Sequence, residues 1–218
     1  MRPFRPLGRL LLGIALAGAL LAPARAQAPE RVIVVLGDSL TAGFGVGADE
    51  AFPARLQERL RREGYPYRVV NAGVSGDTTA GGLRRVDWVL RARPEIVVVA
   101  LGANDGLRGL PVSQMKSNLR VIVERLTGEG ARVLLAGMRV PPNYGDRYAR
   151  EYAEAFAEVA RREKTPLMPF LLDGVGAEAR LNQPDGIHPN AAGHQVIADR
   201  LWPHLKPLLA RRPGSSRY

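Results

Sequence analysis

The segment Val32-Ile33-Val34-Val35-Leu36-Gly37-Asp38-Ser39-Leu40 points to the architecture of the whole chain. Its apolar part is short, rich in β-branched residues and uninterrupted, which is typical of a strand buried on both faces of a parallel sheet. The run ends abruptly in a glycine, an acid and a serine. Open α/β proteins bind ligands at the carboxyl ends of their strands, so Ser39 is a candidate nucleophile.

Strand patterns alternate with helical patterns along the rest of the sequence. The predicted strands are residues 32–36, 67–71, 95–101, 132–137 and 166–169. Apolar residues recur at helical spacing in the intervening segments 52–60, 83–90, 112–126 and 148–159, and again in 196–205. Such alternation predicts a three-layer α/β/α sandwich around a five-stranded parallel sheet, formed by one domain over residues 27–210.

The two ends of the chain are expected to lie outside this domain. Residues 1–26 combine three early arginines, an apolar run and the small-x-small sequence Ala24-Arg25-Ala26. That pattern predicts a signal peptide cleaved before Gln27, and so a periplasmic or secreted protein. The apolar run is too short to favour the alternative of a membrane anchor. Residues 211–218 are polar, with proline and glycine, and we expect a flexible tail there.

Composition narrows the function further. The chain has no cysteine, which excludes disulfides and thiol chemistry. Four arginines precede Gln27, so the mature chain keeps +6 of the formal charge of +10. The basic residues are spread along the helices and form no cluster with aromatic residues, so no nucleic-acid partner is expected. A soluble arginine-rich surface is the main interpretation of this charge, and peripheral contact with lipid is the alternative.

Polar side chains follow each predicted strand, and a parallel sheet brings all such loops to one edge. The loops comprise residues 37–40, 71–78, 102–106, 139–145 and, at longer range, 185–190. They supply a serine, a glycine turn, an asparagine, and an acid together with a histidine. Each residue alone has an ordinary structural explanation as a helix cap, a turn residue or a packed histidine. Their joint occurrence at one edge favours catalysis.

Four of these segments resemble the conserved blocks of the SGNH (GDSL) hydrolase family. They read GDSLTAG (37–43), NAGVSGDT (71–78), GANDGLRG (102–109) and DGIHPN (185–190), in the order of the family. The resemblance continues through PPNYGDRY (141–148) and PLMPF (166–170). Within the family the chain is similar to the bacterial periplasmic thioesterase I type, which is also described as lysophospholipase, protease and arylesterase. The resemblance implies a flavodoxin-like fold and an esterase or thioesterase.

The resemblance also implies the roles of five residues. Ser39 would be the nucleophile, His188 the general base and acid, and Asp185 the group that orients the imidazole. The oxyanion hole would comprise the backbone N–H groups of Ser39 and Gly76 and the side-chain amide of Asn104. Asp38 is expected to be a structural hydrogen-bond acceptor beside the nucleophile. No metal or other cofactor is implied.

Apolar residues in two of the edge loops suggest a groove for an acyl chain, with Arg108 near its rim. The other candidate substrate-binding residues are Leu107, Leu110, Val140, Pro141, Pro142 and Tyr144. A small-molecule acyl ester, lysophospholipid or acyl thioester is therefore the expected substrate. A monomer is the expected state of the protein.

Several alternatives have specific sequence features. Carbohydrate O-deacetylation and lipid or carbohydrate transport by a non-enzyme remain open, and a panel of esters discriminates them.

No G-x-S-x-G is present, which argues against the common α/β-hydrolase elbow. Ser113-Gln114-Met115-Lys116 matches S-x-x-K, but the partner motifs of penicillin-recognising enzymes are absent. The glycine-rich segment 43–48 loosely fits a dinucleotide fingerprint and is interpreted as a mobile loop near the site. His194 and His204 are interpreted as structural.

Overall fold

The computed structural model describes residues 31–209, and the predicted signal peptide and tail lie outside the described residues. The strands are β1 (Arg31–Gly37), β2 (Tyr67–Gly73), β3 (Ile96–Ala100), β4 (Arg132–Ala136) and β5 (Leu167–Met168). They form one parallel sheet in the order β2-β1-β3-β4-β5. This is the strand order of flavodoxin-like folds, so the predicted fold class is confirmed.

Helices connect the strands in two groups. The helices are α1 (Ser39–Ala42), α2 (Phe52–Arg62), α3 (Thr79–Arg84), α4 (Val86–Arg91), α5 (Ala103–Leu107), α6 (Val112–Gly128), α7 (Asp146–Arg162) and α8 (Ala191–Leu205). Helix α2 packs against α8, and α6 packs against α3 and α7. Right-handed crossovers place these groups on opposite faces of the sheet. Within residues 31–209, no helix has both the length and the apolar character needed to cross a bilayer.

The core confirms the apolar patterns of the sequence. Every residue of β3 is buried, and so are the interior residues of β1, as expected for strands covered on both faces. Phe52, Leu56 and Leu60 of α2 are fully buried along one stripe. The helices therefore attach to the sheet through the faces that the spacing predicted.

Two predicted elements differ from the structure. The pattern over residues 83–90 predicted one helix, but the chain forms α3 and α4 with a break at Arg85. The guanidinium of Arg85 turns towards the sheet and donates to the carbonyl oxygens of Gly37 and Ala72, which draws the chain out of helical register. Strand β5 is only two residues long because Pro166 and Pro169 flank it, and proline cannot donate to a ladder.

The register of the central strands positions the site. Gly37 pairs with Gly73 of β2 on one side and with Ala100 of β3 on the other. The three strands thus end level with one another in small residues. A Cβ atom at Gly37 would lie 1.9 Å from Thr41 Oγ1, and one at Gly73 would lie 2.2 Å from the backbone nitrogen of Ala42. The small residues allow α1 to pack directly on the strand ends, which fixes its first residue, Ser39.

Candidate active site

Ser39 stands at the first position of α1, immediately beyond the end of β1. The preceding residue, Asp38, is the N-cap of this helix, and its Oδ1 accepts a hydrogen bond from the Leu40 N–H at 3.0 Å. Asp38 is only 1% exposed, and burial raises its pKa to about 7. The Oδ1 atom of Asp38 therefore accepts a hydrogen bond beside the nucleophile, as the sequence predicted, whereas its buried Oδ2 has no hydrogen-bond partner among the described residues.

A chain of hydrogen bonds joins Ser39 to two residues near the opposite end of the sequence. His188 Nε2 lies 3.0 Å from Ser39 Oγ, and His188 Nδ1 lies 2.7 Å from Asp185 Oδ2. An ionised carboxylate can only accept, so it fixes Nδ1–H as the donor and leaves the Nε2 lone pair for the serine hydroxyl. This is the geometry in which a histidine can remove a proton from a serine.

Asp185 is held ionised by its own loop. Its side chain accepts from His188 Nδ1, and its Oδ1 accepts from the backbone N–H groups of Ile187 and His188, each at 3.0 Å. These hydrogen bonds, with that of the His188 side chain the largest contribution, lower the pKa of Asp185 to about 2. The same residue therefore orients the imidazole and organises the turn that carries it.

Gly76 occupies a tight turn that follows β2. The Asp77 N–H donates to the Val74 carbonyl at 3.1 Å, and Gly76 has φ of 80° in the third position of this turn. Such a conformation favours glycine, whereas a Cβ atom at Gly76 would have no heavy atom closer than 3.7 Å. Backbone conformation, rather than lack of space, requires glycine here. Arg108 Nη2 donates to the Gly76 carbonyl at 2.8 Å and fixes the turn from outside.

Asn104, in α5, presents its side-chain amide beside this turn. Its Nδ2 donates to the Asp77 carbonyl at 3.0 Å, which uses one of the two amide hydrogens and leaves the second for a ligand. The neighbouring Asp105 is buried and accepts from both the N–H and the hydroxyl of Thr79 at 2.8 and 2.6 Å. The loops after β2 and β3 are therefore tied together next to Ser39.

A cavity of about 590 Å³ opens in front of Ser39. Ser39, Gly76, Asn104 and His188 all line it, so four of the five residues assigned by resemblance meet in one space; Asp185 lies behind His188. Of the predicted substrate-binding residues, three line the cavity: Leu107, Val140 and Pro141. Most of the other lining side chains are apolar, so the space suits an acyl chain.

Three other predicted substrate-binding residues, Arg108, Leu110 and Tyr144, do not line the cavity. Tyr144 donates its hydroxyl to the Leu107 carbonyl at 2.9 Å, which positions a lining residue. Arg108 is engaged with Gly76, and Leu110 accepts at its carbonyl from the Tyr148 hydroxyl. Pro142 begins a single 3₁₀ turn that ends at Tyr144.

Sequence reasoning missed much of the wall. The added residues are Leu40, Phe44, Ser75, Ala103, Met138, Arg139, Phe170, Leu172, Gly176, Ala177, Asn182, Gly186 and Ile187. Phe44 belongs to the glycine-rich segment 43–48, which does lie near the site. Ile187 belongs to the DGIHPN segment, next to His188, so the sequence could have predicted it as a cavity residue. The residues from 170 to 182 follow β5 in a long irregular loop, where no periodic pattern indicates which side chains face inward.

The remaining sequence candidates take structural positions. Ser113 is exposed on α6, and Lys116 pairs with Glu158 at 2.8 Å, so neither approaches the cavity wall. His194 is buried, and its Nδ1 accepts from the Phe52 N–H at 3.2 Å. Burial lowers the pKa of His194 to about 4, which keeps the ring neutral as this hydrogen bond requires. His204 is half-buried in α8.

The protein is a parallel α/β/α sandwich, and a hydrogen-bonded serine, histidine and aspartate lie at the carboxyl ends of its strands. These features define its class, which is that of the serine hydrolases. The sequence matches the GDSL-like lipase/acylhydrolase family over residues 35–196. The chain belongs to this family.

Individual relatives agree with this assignment. The chain is 47% identical over 184 residues to the esterase TesA of Pseudomonas aeruginosa, covering 84% of this chain and 92% of the relative. It is 38% identical over 186 residues to the thioesterase 1/protease 1/lysophospholipase L1 of Escherichia coli K12, covering 85% and 88%. A crystal structure of TesA, 47% identical, superposes with a TM-score of 0.80 over 82% of this chain and all of that chain.

Proposed function

We propose that this protein hydrolyses acyl esters and acyl thioesters through a covalent acyl-serine intermediate on Ser39. The observation that carries the proposal is the hydrogen-bonded chain from Ser39 Oγ through the His188 imidazole to Asp185, at 3.0 and 2.7 Å. Free serine is a weak nucleophile, and this arrangement supplies the base and the orienting carboxylate that it needs.

In the first half-reaction, Ser39 Oγ attacks the carbonyl carbon as its proton passes to His188 Nε2. The imidazolium that forms is stabilised by ionised Asp185. The carbonyl oxygen becomes an oxyanion, which accepts hydrogen bonds from the N–H groups of Ser39 and Gly76 and from Asn104 Nδ2. His188 then protonates the departing alcohol or thiol, and the bond from the acyl carbon to that group breaks.

In the second half-reaction, water replaces the departed group. His188 Nε2 removes a proton from the water as its oxygen attacks the acyl-enzyme, and the same three donors stabilise the second oxyanion. His188 finally returns the proton to Ser39 Oγ, which releases the carboxylic acid. We assign Asp38 no step, because its side chain is buried and its Oδ1 caps α1 by accepting from the Leu40 N–H.

The substrate class rests on the cavity. A volume of about 590 Å³ lined mainly by apolar side chains fits a medium or long acyl chain, whereas an acetyl group would leave most of it unfilled. Two relatives bear the names esterase and thioesterase 1/protease 1/lysophospholipase L1, which favours the same substrates here. Fatty-acyl esters, lysophospholipids and acyl thioesters are therefore the proposed substrates, rather than O-acetylated carbohydrates.

A panel of p-nitrophenyl esters from C2 to C16 tests this function on the purified chain, with acyl-CoA thioesters as a second series. We expect kcat/KM to rise with chain length beyond C2, and the Ser39→Ala variant to be inactive throughout. A sharp preference for acetyl would indicate a deacetylase instead. No hydrolysis of any ester would leave the binding-protein alternative.

We propose further that the protein is exported and is a monomer, with a soluble arginine-rich surface and, as the alternative, peripheral contact with lipid. The sequence pattern of residues 1–26 supports export, and N-terminal sequencing of the periplasmic fraction should begin at Gln27. Sedimentation of the purified protein should give the mass of one chain. Sedimentation with anionic vesicles separates the two interpretations of the basic charge: a soluble surface gives no binding, whereas peripheral lipid contact gives weak binding that is lost at high salt.

A further inference from the structure

The position of His188 poses a structural problem. It lies in the segment between β5 and α8, outside the main sheet and beside an isolated antiparallel bridge between Asn182 and Pro189. Backbone hydrogen bonds close the short loop that carries it: the Gln183 N–H donates to the His188 carbonyl at 2.7 Å, and the Asn190 N–H donates to the Leu181 carbonyl at 2.9 Å. These contacts shape the loop, but they do not fix it relative to Ser39.

The side chain of Gln183 makes that connection. Its Nε2 donates one hydrogen bond to the Phe44 carbonyl at 2.7 Å and a second to the Pro189 carbonyl at 3.0 Å. Both hydrogens of the amide are thereby used, one on each side of the site. Phe44 is 139 positions away along the chain and follows α1, whereas Pro189 is the residue next to His188.

These contacts belong to a ring of hydrogen bonds that includes Ser39 and His188. The Phe44 N–H donates to the Ser39 carbonyl at 3.1 Å, and the Phe44 carbonyl accepts from Gln183. The Gln183 N–H donates to the His188 carbonyl. The ring closes at His188 Nε2, which lies 3.0 Å from Ser39 Oγ. The Phe44 ring also packs on the imidazole, with ring centroids 4.7 Å apart. Each member therefore restricts the distance between nucleophile and base.

The glycine beside Phe44 fits the same interpretation. Gly45 has φ of 77°, and a Cβ atom there would lie 2.1 Å from Gln183 Oε1. The backbone thus approaches the glutamine as closely as it can, in a conformation that favours glycine. Gln183 itself does not line the substrate cavity.

We infer that Gln183 is a positioning residue that sets the His188 imidazole against the Ser39 hydroxyl by bridging the Phe44 and Pro189 carbonyls. The inference rests on the proposed function, because it assigns Gln183 to the proton transfer between those two residues. Displacement of a catalytic group by about 1 Å can cost a hundredfold in rate. Gln183 should accordingly affect kcat and leave substrate binding unchanged.

The test compares Gln183→Met with Gln57→Met. Methionine matches glutamine in length but donates no hydrogen bond. Gln57 is a matched control because its amide also bridges backbone, donating to the Tyr67 carbonyl and accepting from the Val69 N–H, at a place remote from the cavity. For each variant we would measure the melting temperature, kcat and KM on one p-nitrophenyl ester, and the fraction of active sites by titration.

We expect Gln183→Met to lose about ten- to a hundredfold in kcat per active site, with KM within twofold. Gln57→Met should lower the melting temperature and leave kcat per active site unchanged. Gly45→Ala should reproduce the kcat loss, since it displaces Gln183 from the other side. The inference is overturned if Gln183→Met keeps kcat within twofold, or if its loss disappears after correction for active sites. Failure of the proposed function is a separate result, seen as activity that survives in Ser39→Ala.

Discussion

The nucleophile and the base of this site are held by different kinds of structure. Ser39 follows a strand paired on both sides, and its position is set by close packing of Gly37 against α1. His188 lies in a long segment between β5 and α8 and is held by individual hydrogen bonds, chiefly through Asp185 and Gln183. Packing tolerates the loss of one polar contact, whereas a hydrogen-bonded loop depends on each. We call the segment around Gly37 and Ser39 the packed half of the site, and the loop that carries Asp185 and His188 the hydrogen-bonded half. The two halves should respond differently to substitution.

The largest effect is expected at the packed half. Ser39→Ala removes the proposed nucleophile, and kcat on a p-nitrophenyl ester should fall at least about 10⁴-fold. The helix cap belongs to Asp38, so the melting temperature should stay close to that of the wild type. Activity within tenfold of the wild type, in a preparation shown by mass spectrometry to be free of wild-type protein, would contradict the assignment.

A large effect is also expected at the hydrogen-bonded half. Asp185→Asn keeps the shape of the side chain but replaces the ionised acceptor, so the imidazole loses its fixed tautomer and kcat should fall about a thousandfold. The pKa of Asp185 is about 2, so its charge persists through the mildly acidic range. Loss of wild-type activity on mild acidification would then come from a group other than Asp185.

The same carboxylate contributes to stability with a definite sign. Its pKa is lower in the folded chain than the ordinary value of about 4, so the contribution is present above pH 4 and is lost as the pH falls towards 2. Thermal unfolding from pH 2 to 5 should show a steeper loss of stability in the wild type than in Asp185→Asn. Equal slopes would contradict the ionised hydrogen-bonded state.

A smaller loss of kcat is expected at Asn104, and comparison with Asn118 distinguishes a contact to the oxyanion from a contact that only packs the loops. Asn104→Ala removes a proposed oxyanion donor and should lower kcat about a hundredfold with little change in KM. Asn118→Ala is the matched control, since Asn118 Nδ2 donates to the Thr79 hydroxyl at 3.0 Å and does not line the cavity. Asn118→Ala should change kcat by less than tenfold. If both variants lose activity equally, Asn104 acts on structure rather than on the oxyanion.

The sequence was informative for the packed half because strong periodic patterns define it. The apolar run of residues 32–36 predicted a buried central strand, and the structure confirms it. Loops after parallel strands meet at one edge of the sheet, and this rule alone predicts that Ser39, Gly76, Asn104 and His188 lie together. Leu107, Val140 and Pro141 were foreseen as cavity residues for the same reason.

The hydrogen-bonded half could not be predicted to the same depth. Gln183, Phe170 and Leu172 lie in or near an irregular loop, where neither alternation nor helical spacing indicates which side chains face inward. The bridge from Gln183 to Phe44 joins residues that only the tertiary fold brings together. The break between α3 and α4 was missed for a similar reason, since Arg85 leaves the helix to reach carbonyl oxygens at the ends of β1 and β2.

The smallest expected effects concern the pH dependence of stability. Burial raises the pKa of Asp38 to about 7, so the folded state binds more protons than the unfolded state and this group lowers stability as the pH rises from 4 to 7. Burial lowers the pKa of His194 to about 4, so that group raises stability between pH 4 and its ordinary value of about 6.5. The two slopes oppose each other, and each is at most about 1.4 kcal/mol per pH unit.

Single variants should expose each slope separately. Asp38→Asn retains an oxygen for the Leu40 N–H, and its stability should rise with pH between 4 and 6.5. His194→Gln should leave a stability that falls from pH 4 to 7. Urea unfolding at several pH values measures both, and slopes of the same sign in the two variants would contradict the opposing protonation states.

Reaction with a p-nitrophenyl alkylphosphonate tests the central claim most directly. The phosphonate forms a stable bond with an activated serine, and peptide mapping by mass spectrometry identifies the modified residue. We predict one adduct per chain, on Ser39, at a rate that falls at least a hundredfold in His188→Ala. An adduct on a different residue, or a rate on Ser39 that is unchanged without the imidazole, would contradict a nucleophile activated by His188.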